Sequence, residues 1–169
     1  MFAPCPANRY QVAHAELLRR SFHALTGCDL LDPTLAPEAA ADALFHAPFV
    51  VLSHDAAPDP ILTYGNRQAL ELFELSWEAL IQMPSRLTAE APDRAERARL
   101  LAEVAARGFI DDYSGVRISR AGRRFMIARA TVWNLTDAAG RLCGQAAMFR
   151  DWRDLEDAEA GRQSPGPPD

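Results

Sequence analysis

Cysteine is scarce in this sequence: Cys5, Cys28 and Cys143 lie far apart, are odd in number and include no Cys-x-x-Cys pair. That spacing supports neither a disulfide framework nor a zinc site, and a reducing compartment is the simpler setting. No stretch approaches the roughly 18 consecutive apolar residues of a membrane span, and the start, MFAPCPANRY, has no basic segment leading into an apolar run. A soluble, cytoplasmic protein without a membrane partner is expected. His14, His23 and His46 fall on expected helices at spacings that pair no two of them, so no metal is expected. Gly-x-x-x-x-Gly-Lys and Gly-x-Ser-x-Gly strings are absent, which removes a phosphate cradle and a nucleophile elbow. A formal net charge of −5 argues against direct nucleic-acid binding, which calls for a basic face.

What is present has the balance of a globular domain, with 49% hydrophobic and 24% charged residues in a chain of 169. That length suits one domain with terminal extensions. Its centre is FVVLSHDAAPDPILTYGN, residues 49–66. Phe49 to Leu52 is too short for a helix and rich in β-formers, so it predicts a central strand. Pro58 and Pro60 turn the chain before Ile61 to Tyr64 form a second strand, which Gly65 closes and after which Asn66 caps a helix. Upstream, apolar residues recur at helical spacing from Arg9 to Thr26, with Gly27 at the C-cap position, and Glu38 to His46 favours a further helix. The first helix reads either as a lid packed on the domain or as a dimer contact. Downstream, Ser76 restarts a short helix, Asp93 and Glu96 open a longer one, and strands follow at Tyr113–Ser119, Arg123–Leu135 and Arg141–Phe149. The end, GRQSPGPPD, predicts a disordered tail.

The expected architecture is therefore α+β: a helical extension over 1–47, a core over 48–152 and a disordered tail over 153–169. That element order resembles the PAS fold, a five-stranded antiparallel sheet with helices on one face around a small cavity. The strings PFVVLSHD, DPILTYGNRQALELFELSW, PSRLTAE, GFIDDYSGVRIS, ATVWNL and GQAAMF resemble the MEKHLA domain family over about residues 10 to 152. Members of that family occur as stand-alone bacterial proteins and as the C-terminal regulatory domain of plant class III homeodomain leucine-zipper factors. The resemblance implies a sensory or regulatory module of the stand-alone bacterial type. This sequence carries no homeodomain, zipper or output region, so any signal is expected to leave through an unidentified protein partner or a homodimer. It also lacks the Asn-Cys-Arg-Phe-Leu-Gln string of flavin-binding photosensory relatives, and the cofactor is left unknown.

Candidate ligand-binding residues are Tyr64, Asn66, Arg86, Tyr113, Arg117, Arg129 and Trp133. On the strands, Phe125, Ile127, Arg129, Thr131 and Trp133 share one parity, as do Tyr113, Gly115, Arg117 and Ser119. An arginine at such a position either pairs internally, with Asp111 or Asp112 as partners, or meets an anionic ligand, because an unpaired buried charge is costly. Arg86 follows a helix end at a pocket-mouth position, with Glu90 as its alternative partner. No catalytic residue is assigned. The competing enzyme reading uses His54 beside Asp55 as a general base on a small metabolite, and a purely structural adaptor is the third reading.

Overall fold

The chain is described here by a computed structural model over residues 2–155, so the expected tail lies outside the described residues from 156 onward. A 3-10 turn (Pro6–Gln11) leads into α1 (Val12–Thr26) and α2 (Pro37–Phe45), followed by strands β1 (Val50–Asp55) and β2 (Leu62–Gly65). Three helices come next, α3 (Arg67–Phe73), α4 (Trp77–Leu80) and α5 (Arg94–Arg107), and then β3 (Phe109–Ile118), β4 (Arg124–Thr136), β5 (Leu142–Phe149) and β6 (Asp151–Asp154). The strands form one antiparallel sheet in the order β2-β1-β5-β4-β3, and β6 pairs with β4. This sixth strand was not expected, and its Arg153 and Asp154 fall in the stretch assigned to the tail. Thr131 of β4 faces Met148 of β5 while Ala128 faces Asp151 of β6, so β6 continues β5 along the same edge of β4 past a break at Arg150.

Alternation along β1 explains the layers. Val50 and Leu52 pack with Ala69, Leu72 and Phe73 of α3. Val51 and the preceding Phe49 point the other way, into Ala15, Leu18 and Phe22 of α1 and Leu44 of α2. Each fully buried aliphatic side chain of this kind contributes about 1.5–3 kcal/mol. The core helices therefore cover one face of the sheet, as expected, and the N-terminal helical extension covers the other, because an apolar run without alternation needs cover on each side. The helix α1 lays its stripe Ala15, Leu18 and Phe22 on the sheet, the geometry of a lid, and ends where Gly27 takes φ 71°.

Asn66 ties these parts together. Fully buried, it accepts through Oδ1 from the N–H groups of Val51 and Ala69, both at 3.1 Å, and donates through Nδ2 to the carbonyls of Leu44 (3.2 Å) and Phe49 (2.7 Å). One side chain thus caps α3 and anchors both the end of α2 and the start of β1. Among the described residues no helix is long and apolar enough to cross a membrane. Asn66→Ala should lower stability by about 2–4 kcal/mol, since buried backbone groups on three segments lose their partner. Urea unfolding of the two proteins measures this, and a loss below about 1 kcal/mol would mean that Asn66 is not the tie described.

Candidate functional site

Between the sheet and α5 lies a cavity of about 60 Å3. Its walls are mostly apolar, with Leu52, Leu100, Ile127 and Phe149 among them, but Arg97, Arg117, Tyr113 and His54 also face it. Arg97 is 9% exposed and Arg117 8%, and neither forms an ion pair among the described residues. Arg117 donates from Nη1 to the Val116 carbonyl at 2.8 Å and from Nη2 to the Tyr113 hydroxyl at 3.3 Å, with its guanidinium 5.4 Å from the centre of the Tyr113 ring. Gly115 makes this arrangement possible, because a Cβ there would collide with the Tyr113 hydroxyl and sit 3.2 Å from Arg117 Nη1. Arg97 meets no hydrogen-bond acceptor among the described residues. Burial, reinforced by the charge of Arg117, pulls its guanidinium down to about 10, so it is still cationic at neutral pH.

His54 completes the polar group. Its Nδ1 lies 2.7 Å from the Asp55 carbonyl oxygen, which only accepts, so Nδ1 carries the proton and Nε2 presents a lone pair. Nε2 is buried with no hydrogen-bond partner among the described residues. Burial, aided by the charge of Arg97, lowers the His54 pKa and favours the neutral ring. The Asp55 carboxylate makes no hydrogen bond to the His54 ring; it accepts from the N–H groups of Ala57 and Ile61, both at 3.1 Å, and shapes the β1–β2 turn.

Of the seven residues singled out in the sequence, Tyr113 and Arg117 line this cavity. Arg129 does not: it takes φ 52°, its side chain is 72% exposed, and it pairs with Asp151 at 2.7 Å. That bulge reverses the parity of β4, so Ala130 and Val132 succeed Ile127 on the cavity side while Trp133 turns to the opposite face against Phe22, with ring centres 5.0 Å apart. Tyr64 is buried on that opposite face, stacked 5.3 Å from the ring of His14, and Asn66 is the structural tie already described. Arg86 is exposed and pairs with Asp59 at 3.1 Å, while Glu90, its expected alternative, pairs with Arg124 at 2.8 Å. Asp111 and Asp112 are exposed and hold neither cavity arginine. Arg97 was missed, although a signal exists. It stands three residues before Leu100 and seven before Val104, on the buried stripe of α5.

Comparison with protein families matches residues 12–154 to the MEKHLA domain. The chain belongs to the MEKHLA domain family. Among solved structures, the crystal structure of the PAS domain of a protein from Colwellia psychrerythraea is similar with TM-score 0.57 at 16% identity, covering 68% of this chain and 92% of that one. An RNA-binding light-oxygen-voltage receptor gives 0.59 at 20% identity over 74% of this chain and 35% of that one. A light-oxygen-voltage domain studied with a flavin analogue gives 0.54 at 15% over 71% and 87%. These likenesses establish the PAS fold for this MEKHLA chain. No curated protein matches it. The cavity under α5 does not fit a flavin: about 60 Å3 is far below the roughly 300 Å3 or more of pockets for ligands of that size, and no cysteine lines it. Among the described residues no group of three or more His, Cys, Asp and Glu side chains is placed to hold a metal.

Two outcomes follow for the unliganded protein. Arg97→Met should leave stability unchanged or raise it by about 1 kcal/mol, because the replaced charge is buried without a partner. A loss of several kcal/mol in urea would show that Arg97 is a structural member of the core. On the other face, His14 Nε2 lies 2.9 Å from the Ser53 hydroxyl and burial lowers its pKa to about 4. The unfolded chain, with a histidine pKa near 6.5, binds that proton more readily. The stability from keeping His14 neutral is thus complete above about pH 6.5 and is lost as pH falls toward 4, by up to about 3 kcal/mol. Unfolding at pH 7 and pH 5 should show this fall, reduced in His14→Gln.

Proposed function

We propose that this MEKHLA protein is a PAS-like sensory or regulatory module whose input is a small molecule held in the cavity under α5. The observation that carries the reading is a set of buried polar residues lining one cavity: Arg97, which has no acceptor among the described residues, Arg117, which has no carboxylate partner among them, and His54, whose Nε2 is buried without a hydrogen-bond partner among them. Groups of this kind persist in a dry site when a ligand completes them. Neighbouring residues of β1 offer an exit for the signal. His54 faces the cavity, while the Ser53 hydroxyl faces α1 and meets His14. A ligand that shifts β1 would therefore be felt at the outer helices, where a second copy or another protein is the proposed recipient.

The bare Nε2 of His54 also favours a second reading, an enzyme on a small metabolite with His54 as general base. Native mass spectrometry of the freshly purified protein, compared with the denatured chain, addresses both readings and the stoichiometry. A reproducible extra mass released unchanged on denaturation is the expected result. Turnover of the bound compound, abolished in His54→Ala with the fold intact, would move the assignment to the enzyme. A bare monomer stabilised by no small molecule would overturn the receptor reading and the homodimer with it.

A further inference from the structure

We infer that the ligand of this cavity is a small hydroxycarboxylic acid, its carboxylate held by Arg97 and Arg117 and its hydroxyl donating to His54 Nε2. The inference rests on the receptor reading above and specifies its chemistry. Charge comes first. Two guanidinium groups face one mostly apolar space with no carboxylate paired to either among the described residues, so the missing partner is an anion. Size comes next. At roughly 10–15 Å3 per water-sized group, a volume of about 60 Å3 holds around four to six such groups, which excludes nucleotides and other large cofactors.

The third constraint is the tautomer. With Nδ1 committed to the Asp55 carbonyl, Nε2 accepts, so the ligand brings a donor. A hydroxyl meets that need. A protonated amine would place a third cation beside Arg97 and Arg117, so amino acids are disfavoured. Inorganic phosphate also carries an anionic oxygen and a hydroxyl, but it would set polar oxygens against Leu52, Leu100, Ile127 and Phe149 without partners. A short carbon body suits those walls better.

The test is isothermal titration of the full chain, after dialysis, with four probes of nearly equal size: lactate, propionate, alanine and inorganic phosphate. Lactate should bind about tenfold or more tighter than propionate, equivalent to the loss of one buried hydrogen bond, and alanine and phosphate should give no heat of binding. His54→Leu should erase the preference for lactate over propionate, and Arg117→Met should abolish binding of both. Equal binding of lactate and propionate by the unaltered chain, or tighter binding of phosphate or alanine, would overturn the hydroxycarboxylate assignment without relying on any variant. A retained neutral or much larger molecule in native mass spectrometry would overturn the ligand class and leave the receptor reading standing. No response to any probe, together with no retained mass, would overturn both.

Discussion

Strand β1 has little contact with water on either face, and the rest of the molecule is built around that constraint. An antiparallel strand with one wet face alternates; Phe49 to Leu52 does not, and burying both parities takes a helical layer on each side of the sheet. The upper layer, α1 and α2, is held in place through Asn66, which bonds to the chain at the end of α2 and at the start of β1. The lower layer, α3 to α5, leaves a gap between α5 and the sheet, and Arg97 and Arg117 line it among mostly apolar side chains.

That gap runs against ordinary core building. Two like charges face a space lined mainly by carbon, with Arg117 satisfied in part by a carbonyl and a phenol and Arg97 by nothing described. Ordinary core building would place apolar side chains there at no cost in stability, so the arrangement has the character of a site whose stability is completed from outside the chain. His54 adds an acceptor to these donors, which makes the polar lining directional as well as charged.

The outer elements were legible because their signals are local. The stripe Ala15, Leu18 and Phe22, the left-handed Gly27, the Asn66 and Ser76 caps and the proline-framed β1–β2 turn each act within a few residues, and each element lies within a few residues of where those signals placed it. The site was less legible. One bulge, at Arg129, decided which side of β4 looks into the cavity, and a side chain read as a cavity charge became half of a surface ion pair with Asp151. Arg97 sat in plain view on the α5 stripe, yet its neighbours Arg94 and Arg99 made the helix read as charged on every side but one.

The sequence by itself determined the order of the elements from α1 to β5 and the membership of the chain in the MEKHLA family, because short-range propensity, residue spacing and long matching strings do not depend on how the chain closes on itself. Tertiary structure alone decided that Arg97, Arg117, Tyr113 and His54, from one helix and two non-adjacent strands, share a space, and that Tyr64, Arg86, Arg129 and Trp133 do not. Burial and unpaired charge are properties of what surrounds a residue. For these residues the surroundings come from segments tens of positions away, on a sheet whose facing turns on two left-handed residues, Asp112 in β3 and Arg129 in β4.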